Sequence, residues 1–247
     1  MRREDKAFRM FRESFNNAEG RFHLLEHRVP VEIQKEYFTY SERMRRSKSF
    51  APLSDAQTEV LYAQLQTGEA SVAEKKYMLT SLAVSCSVKA FRMLEEYAGQ
   101  SEPDVADWAC LALAELRIAL ETELSGEKQM FISTGLGGKD GKMRFYVLFL
   151  AEKNVPFKDY QRRVIEQEFP YMLAQAGCET ESLTVGSQYV ELLSLIPFRT
   201  DIKSLLEGLI AECNQYGNFL SYRFTINNIK ELTQEEINEA VRENGDD

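Results

Sequence analysis

The 247-residue sequence predicts a helical first half followed by an α+β second half, the latter an antiparallel sheet with two helices. Three observations predict it. Apolar residues recur at helical spacing from Pro52 to about residue 124, the period changes after Ser125-Gly126, and from Met143 onward strand and helix signals alternate. A composition that is 44% hydrophobic and 28% charged supplies ample material for a core.

Residues 1–50 read as a basic helical segment, with 12 Lys+Arg against 8 Asp+Glu. Phe8, Phe11 and Phe15 fall at helical spacing, Gly20 and Pro30 interrupt, and Val31 to Arg46 forms a further helix. Its basic end (Arg43, Arg45, Arg46, Lys48) complements the negative pole of a helix C-terminus. That is the simpler reading of the run than a nucleic-acid patch, because no aromatic or glycine interleaving accompanies it. Ser54-x-x-Gln57 and Ser71-x-x-Glu74 are capping-box patterns that open helices at about 55–67 and 71–85. A third helix spans about 87–98 and stops at Gly99. Pro103 sits where a fourth begins, at a position where its missing N–H costs little. In that fourth helix Val105, Trp108, Ala109, Ala112, Leu113, Leu116, Ala119, Leu120 and Leu124 make one broad apolar face.

The run Val88-x-x-Phe91-x-x-Leu94, followed by Ser101-Glu-Pro-Asp-Val-Ala-Asp-Trp-Ala-Cys-Leu-Ala-Leu-Ala-Glu-Leu, resembles a HEAT-type helical repeat. Val72-Ala73-Glu74 matches Val105-Ala106-Asp107 as an earlier copy. The resemblance covers about residues 55–124 and implies a stacked, surface-presenting half at 51–127, a shape rather than a chemistry.

Beyond Ser125-Gly126, Met130 to Ser133 reads as a short strand and the glycines at 135, 137, 138 and 141 as a turn-rich loop. Met143 to Ala151 is a strong strand. Pro156 to Ala176 is a helix that Pro170 should kink or split. Strands at Ser182–Val185 and Gln188–Ile196, a helix at Asp201–Tyr216 and a strand at Leu220–Ile226 follow. Thr233-x-x-Glu236 opens a polar terminal helix, 230–247. The order β-α-β-β-α-β over 128–229 resembles a ferredoxin-like fold, which implies that the first and third strands are central. Both carry apolar residues at nearly every position, so their side chains point both ways. Two helices cover one face only; the other is expected to be buried against residues 1–124 or against another copy of the chain.

The sharpest chemical pattern is His23-Leu-Leu-Glu26-His27. H-x-x-E-H on a helix puts two histidines one turn apart on a metal, with the glutamate as general base. The letters are similar to those of pitrilysin-type peptidases, which implies a zinc-dependent hydrolase with His23, Glu26 and His27 as metal-site candidates. Gly20 and Pro30 leave barely two helical turns, however, and a solvated or packed two-histidine helix binding no stoichiometric zinc is the preferred reading. Gly135-Leu-Gly-Gly-Lys139-Asp-Gly-Lys142 invites comparison with a phosphate loop, but Leu136 stands where the first glycine belongs and Met143 replaces the magnesium-binding hydroxyl. A hairpin connection fits better. No nucleophile constellation is visible, and no cofactor is expected.

The four cysteines form no C-x-x-C pair and each lies in or beside an apolar stretch, as reduced core residues do. No secretory h-region follows the first residues and no stretch approaches a membrane span, so a cytoplasmic location is expected. Net charge is −9, which argues against a nucleic-acid partner. A non-enzymatic protein-binding or scaffold protein, with a protein partner or self-association, is therefore the expected function. The alternatives are the zinc hydrolase and a small-molecule sensor. The latter follows from a resemblance to ACT domains, which share the β-α-β-β-α-β order.

Overall fold

The computed structural model describes residues 21–47, 51, 53–127 and 129–245. The protein is α+β, and its described residues divide into two compact units, one up to Ser133 and one from Thr134 onward. The expected helix bearing Phe8, Phe11 and Phe15 lies outside the described residues.

The first unit is built on helices α1 (Val31–Arg46), α2 (Asp55–Gln66), α3 (Val72–Val84), α4 (Val88–Ala98) and α5 (Pro103–Ser125). Both capping boxes form: the Ser54 and Ser71 hydroxyls accept from the backbone N–H of Gln57 and Glu74, whose side chains accept from the cap N–H in return. Gly126, with φ of 68°, closes α5 in the left-handed conformation that glycine adopts without strain. Leu79, Leu82 and Ala83 of α3, Leu94 of α4 and Trp108, Ala109, Ala112 and Leu116 of α5 share one core. Trp108 is 1% exposed. Its indole N–H donates to Thr80 Oγ1 at 2.9 Å, and the rings of Tyr37 and Tyr40 meet it edge-on.

Residues 21–29 depart from expectation. They form no helix: β1 (Arg21–Leu24) is a strand paired in parallel with β2 (Gln129–Ile132), and a loop follows. The partner strand supplies what Gly20 and Pro30 deny to a helix, namely backbone bonds that do not depend on length.

In the second unit the sheet comprises β3 (Gly138–Lys139), β4 (Lys142–Ala151), β5 (Glu179–Val185), β6 (Tyr189–Pro197) and β7 (Leu220–Asn227). β4 lies between β6 and β7, β5 pairs with the far side of β6, and all these pairings are antiparallel. The first and third long strands are thus central, as the ferredoxin-like order requires. Helices α6 (Asp159–Gln175) and α7 (Ile202–Asn214) cover one face, with the Phe149 ring of β4 meeting Phe169 of α6 at 5.0 Å. α6 runs unbroken through Pro170. The bond forfeited there would have joined the carbonyl of Glu166, an exposed residue whose carbonyl water can serve.

The other face, expected to be buried against residues 1–124 or another copy of the chain, is covered from within its own unit by the C-terminal helix α8 (Gln234–Gly245). Ile237, Ala240 and Val241, with Leu136 and Leu232, pack on Tyr146, Leu148 and Leu150 of β4 and Leu193 of β6. Only a narrow stripe of this acidic helix is apolar, which is why it reads as a polar tail. Gly135 allows the β2–β3 loop to join the cover: a Cβ there would stand 1.9 Å from the Ile229 carbonyl oxygen.

Candidate nucleic-acid interface

The end of the sheet where β4 hands over to α6 is fastened from several directions. Lys153 (φ 51°, ψ 30°) and Asn154 (φ 55°) are consecutive residues in the left-handed region. Asparagine tolerates that conformation; lysine has no side-chain compensation for it, and a non-glycine residue held so costs about 1–3 kcal/mol unless its surroundings dictate it. Here they do. Glu152 N–H donates to the Phe219 carbonyl at 2.8 Å, Phe157 N–H to the Ser187 carbonyl at 2.8 Å, and Gln188 reaches the Asn154 carbonyl. From α8, Asn244 Nδ2 donates to the Ala151 carbonyl and to Asn154 Oδ1, both at 2.9 Å, while Asn154 Nδ2 donates to the Val241 carbonyl.

What this scaffold presents outward is cationic and aromatic. The run from residue 153 to 163 carries Lys153, Lys158, Arg162 and Arg163 against the single acid Asp159, in a chain of net charge −9. Glu152 and Glu166 flank the run. Lys153, Lys158 and Arg163 are exposed and join none of the ion pairs among the described residues; Arg162 donates to the Val185 carbonyl at 3.1 Å. Tyr160, 48% exposed, stands in the first turn of α6, and Tyr216, 52% exposed, lies just beyond α7. The two share a surface: Tyr160 Oη is 3.7 Å from where a Cβ on Gly217 would sit. Ammonium and guanidinium groups beside accessible π-faces can hold phosphates and stack bases.

Sequence reading missed this site and pointed elsewhere. Its signal was present, a locally inverted charge with an aromatic inside it, but the whole-chain charge concealed it. The metal-site candidates His23, Glu26 and His27 do not share a helix face. His23 lies on β1, its Nε2 2.7 Å from Gln129 Oε1 and 3.0 Å from Glu121 Oε2, whereas Glu26 and His27 sit exposed in the following loop. Among the described residues no group of three or more His, Cys, Asp or Glu is placed to hold a metal ion. The glycine-rich stretch 135–141 is a wall of the second sheet face: Leu136 packs there, and its carbonyl accepts from Arg144 Nη1 at 2.6 Å. Arg144 in turn grips Glu181 with two nitrogens. Tyr146 is no exposed phenol either. It is buried with its hydroxyl on Glu191 at 2.8 Å, and burial first, then that carboxylate, holds its pKa far above the usual tyrosine value.

No family model matches the chain, and no curated protein matches it. Two of the solved structures that resemble part of it are transposases. One is a putative transposase from Deinococcus radiodurans R1, 17% identical, covering 44% of this chain and 94% of its own, with a TM-score of 0.38. The other is a REP-associated tyrosine transposase bound to a REP hairpin, 13% identical, covering 41% of this chain and 62% of its own, with a TM-score of 0.31. These findings correct the expectation of a non-enzymatic protein-binding scaffold without a nucleic-acid partner: the two structures named are transposases, and one is bound to a REP hairpin. No residue role passes from either to this chain. Among the described residues no helix is long and apolar enough to cross a membrane.

Proposed function

We propose that the α+β unit binds single-stranded nucleic acid at the β4–α6 end. Lys153, Lys158, Arg162 and Arg163 would hold successive phosphates while Tyr160 and Tyr216 stack on unpaired bases. The observation that carries this reading is the co-location of exposed Lys153, Lys158 and Arg163, which join no ion pair among the described residues, with exposed Tyr160 and Tyr216 where a fastened loop meets α6. The acidic remainder of the molecule does not oppose it. At physiological salt, charges farther than about 8 Å are largely screened, so the local run governs the contact and the acidic body repels nucleic acid elsewhere. Single strands are favoured over duplex because stacking on tyrosine requires a base face that duplex pairing conceals. We place the protein in the cytoplasm, where its four free cysteines are ordinary.

The test is fluorescence anisotropy with a labelled single-stranded oligonucleotide and the same sequence as duplex, at several salt concentrations. Four phosphate contacts predict a slope of log affinity on log salt of about −2.8, or roughly fifty-fold weakening between 50 and 200 mM. Replacing Lys153, Lys158 and Arg163 together by Glu abolishes binding, and Tyr160→Ala costs about 1–3 kcal/mol. Absence of saturable binding at 50 mM salt, or affinity unchanged in the charge-reversed variant, refutes the assignment.

A further inference from the structure

We infer that the last turn of α8 sets the shape of the nucleic-acid loop, and that Asn244 is its positioning residue; the inference rests on the reading above. The end of α8 meets Asn154 through Asn244 and the Val241 carbonyl by hydrogen bonds, and through Gly245 by proximity, since a Cβ there would lie 2.6 Å from Asn154 Nδ2. Asn244 also caps the carbonyl of Ala151, the last residue of β4. One amide thus ties the end of the central strand to the second of the two left-handed residues.

Lys153 lies between those two tied points. Ala151, two residues before it, and Asn154, directly after it, are both tied to α8, and the left-handed turn leaves the lysine exposed. Helix α8 is held on the sheet chiefly by Ile237, its one fully buried side chain, with Ala240 and Val241 alongside. Undocking α8 therefore removes three of the bonds that hold the loop, those on Ala151 and on both ends of the Asn154 amide, and with them its full binding shape. Anything that lifts this acidic helix, with Glu235, Glu236, Glu239 and Glu243 along it, unfastens the phosphate-binding run. The device makes affinity conditional on the C-terminal helix without placing any residue of that helix on the ligand.

The Lys153–Asn154 bond is itself a tryptic site, which gives a readout independent of nucleic acid. In the full chain, Asn244→Ala and Ile237→Ala are each expected to raise tryptic cleavage after Lys153, followed by mass spectrometry, at least tenfold over wild type. Both should also flatten the salt slope for the single-stranded probe by about 0.7, the share of one lost phosphate contact. Cleavage in Asn244→Ala within twofold of wild type overturns the inference whatever the binding result. Increased cleavage with an unaltered salt slope also overturns it, because the clasp then does not serve binding. A wild-type protein that binds no oligonucleotide sinks the site reading instead, while the cleavage ratio still decides whether α8 holds the loop.

Discussion

Glu115 on α5 accepts hydrogen bonds from Tyr37 Oη and Ser41 Oγ, both at 2.6 Å, while Arg45 Nη2 stands 2.7 Å away. The carboxylate serves three groups of α1 at once, so its removal leaves a buried phenol and a buried hydroxyl with no acceptor. Glu115→Ala is expected to destabilise the helical unit by about 2–3 kcal/mol in chemical denaturation, and Glu115→Gln by less. Burial first, and then Glu115, raises the Tyr37 pKa well above its ordinary value, as burial and Glu191 do for Tyr146. The folded protein keeps protons that the unfolded chain releases near pH 10. Stability is therefore whole below that pH and falls as the pH rises from there toward the raised folded values. A melting temperature that stays flat between pH 9 and 11 would contradict this account. None of these pairings was legible in the sequence, because Tyr37 and Glu115 are 78 positions apart and nothing local marks them as partners. Gly135 is comparable. It reads as one glycine of a turn, yet the Ile229 carbonyl leaves no room for a methyl group, and Gly135→Ala should cost at least the upper end of the 1–3 kcal/mol typical of overpacking.

Elements with strong local signals were read well. The capping boxes, Pro103 and the broad apolar face of α5 fixed the helices of the first unit to within a few residues, and the apolar run Phe145–Ala151 of β4 announced a central strand. Leu116 tests that face: it is fully buried, and Leu116→Ala is expected to cost about 2–5 kcal/mol. Elements whose identity depends on a distant partner were misread. β1 is a strand because β2 lies beside it, and the sequence between Gly20 and Pro30 carries no signal of that neighbour. The C-terminal helix was located correctly but given no task. Ile237, Ala240 and Val241 form a stripe so narrow that charge dominates its composition, and the apolar surplus on β4 and β6 was assigned to larger surfaces instead.

For the molecule as a whole, the covered second face has a direct corollary: residues 134–247 contain the lids for both sides of their own sheet. A fragment starting at Thr134 is expected to unfold cooperatively in urea and to retain the oligonucleotide affinity of the full chain. A fragment that aggregates or melts without a transition would show that the sheet depends on the rest of the chain. The binding surface was the least legible feature, since a net charge of −9 averages away an eleven-residue inversion of sign, and Tyr216 joins it only through the fold. The β1–β2 ladder has a consequence of another kind. It joins the entry strand of the helical unit to its exit strand, in parallel, from Arg21 opposite Gln129 to Leu24 opposite Ile132. Tension applied between the chain before Arg21 and the chain after Ile132 would pull the two strands from opposite ends. Their rungs would then be loaded in shear, sharing the force rather than parting one by one. The helices between them would stay slack until the ladder failed as a whole, so this short seam would act as the mechanical fuse of the unit.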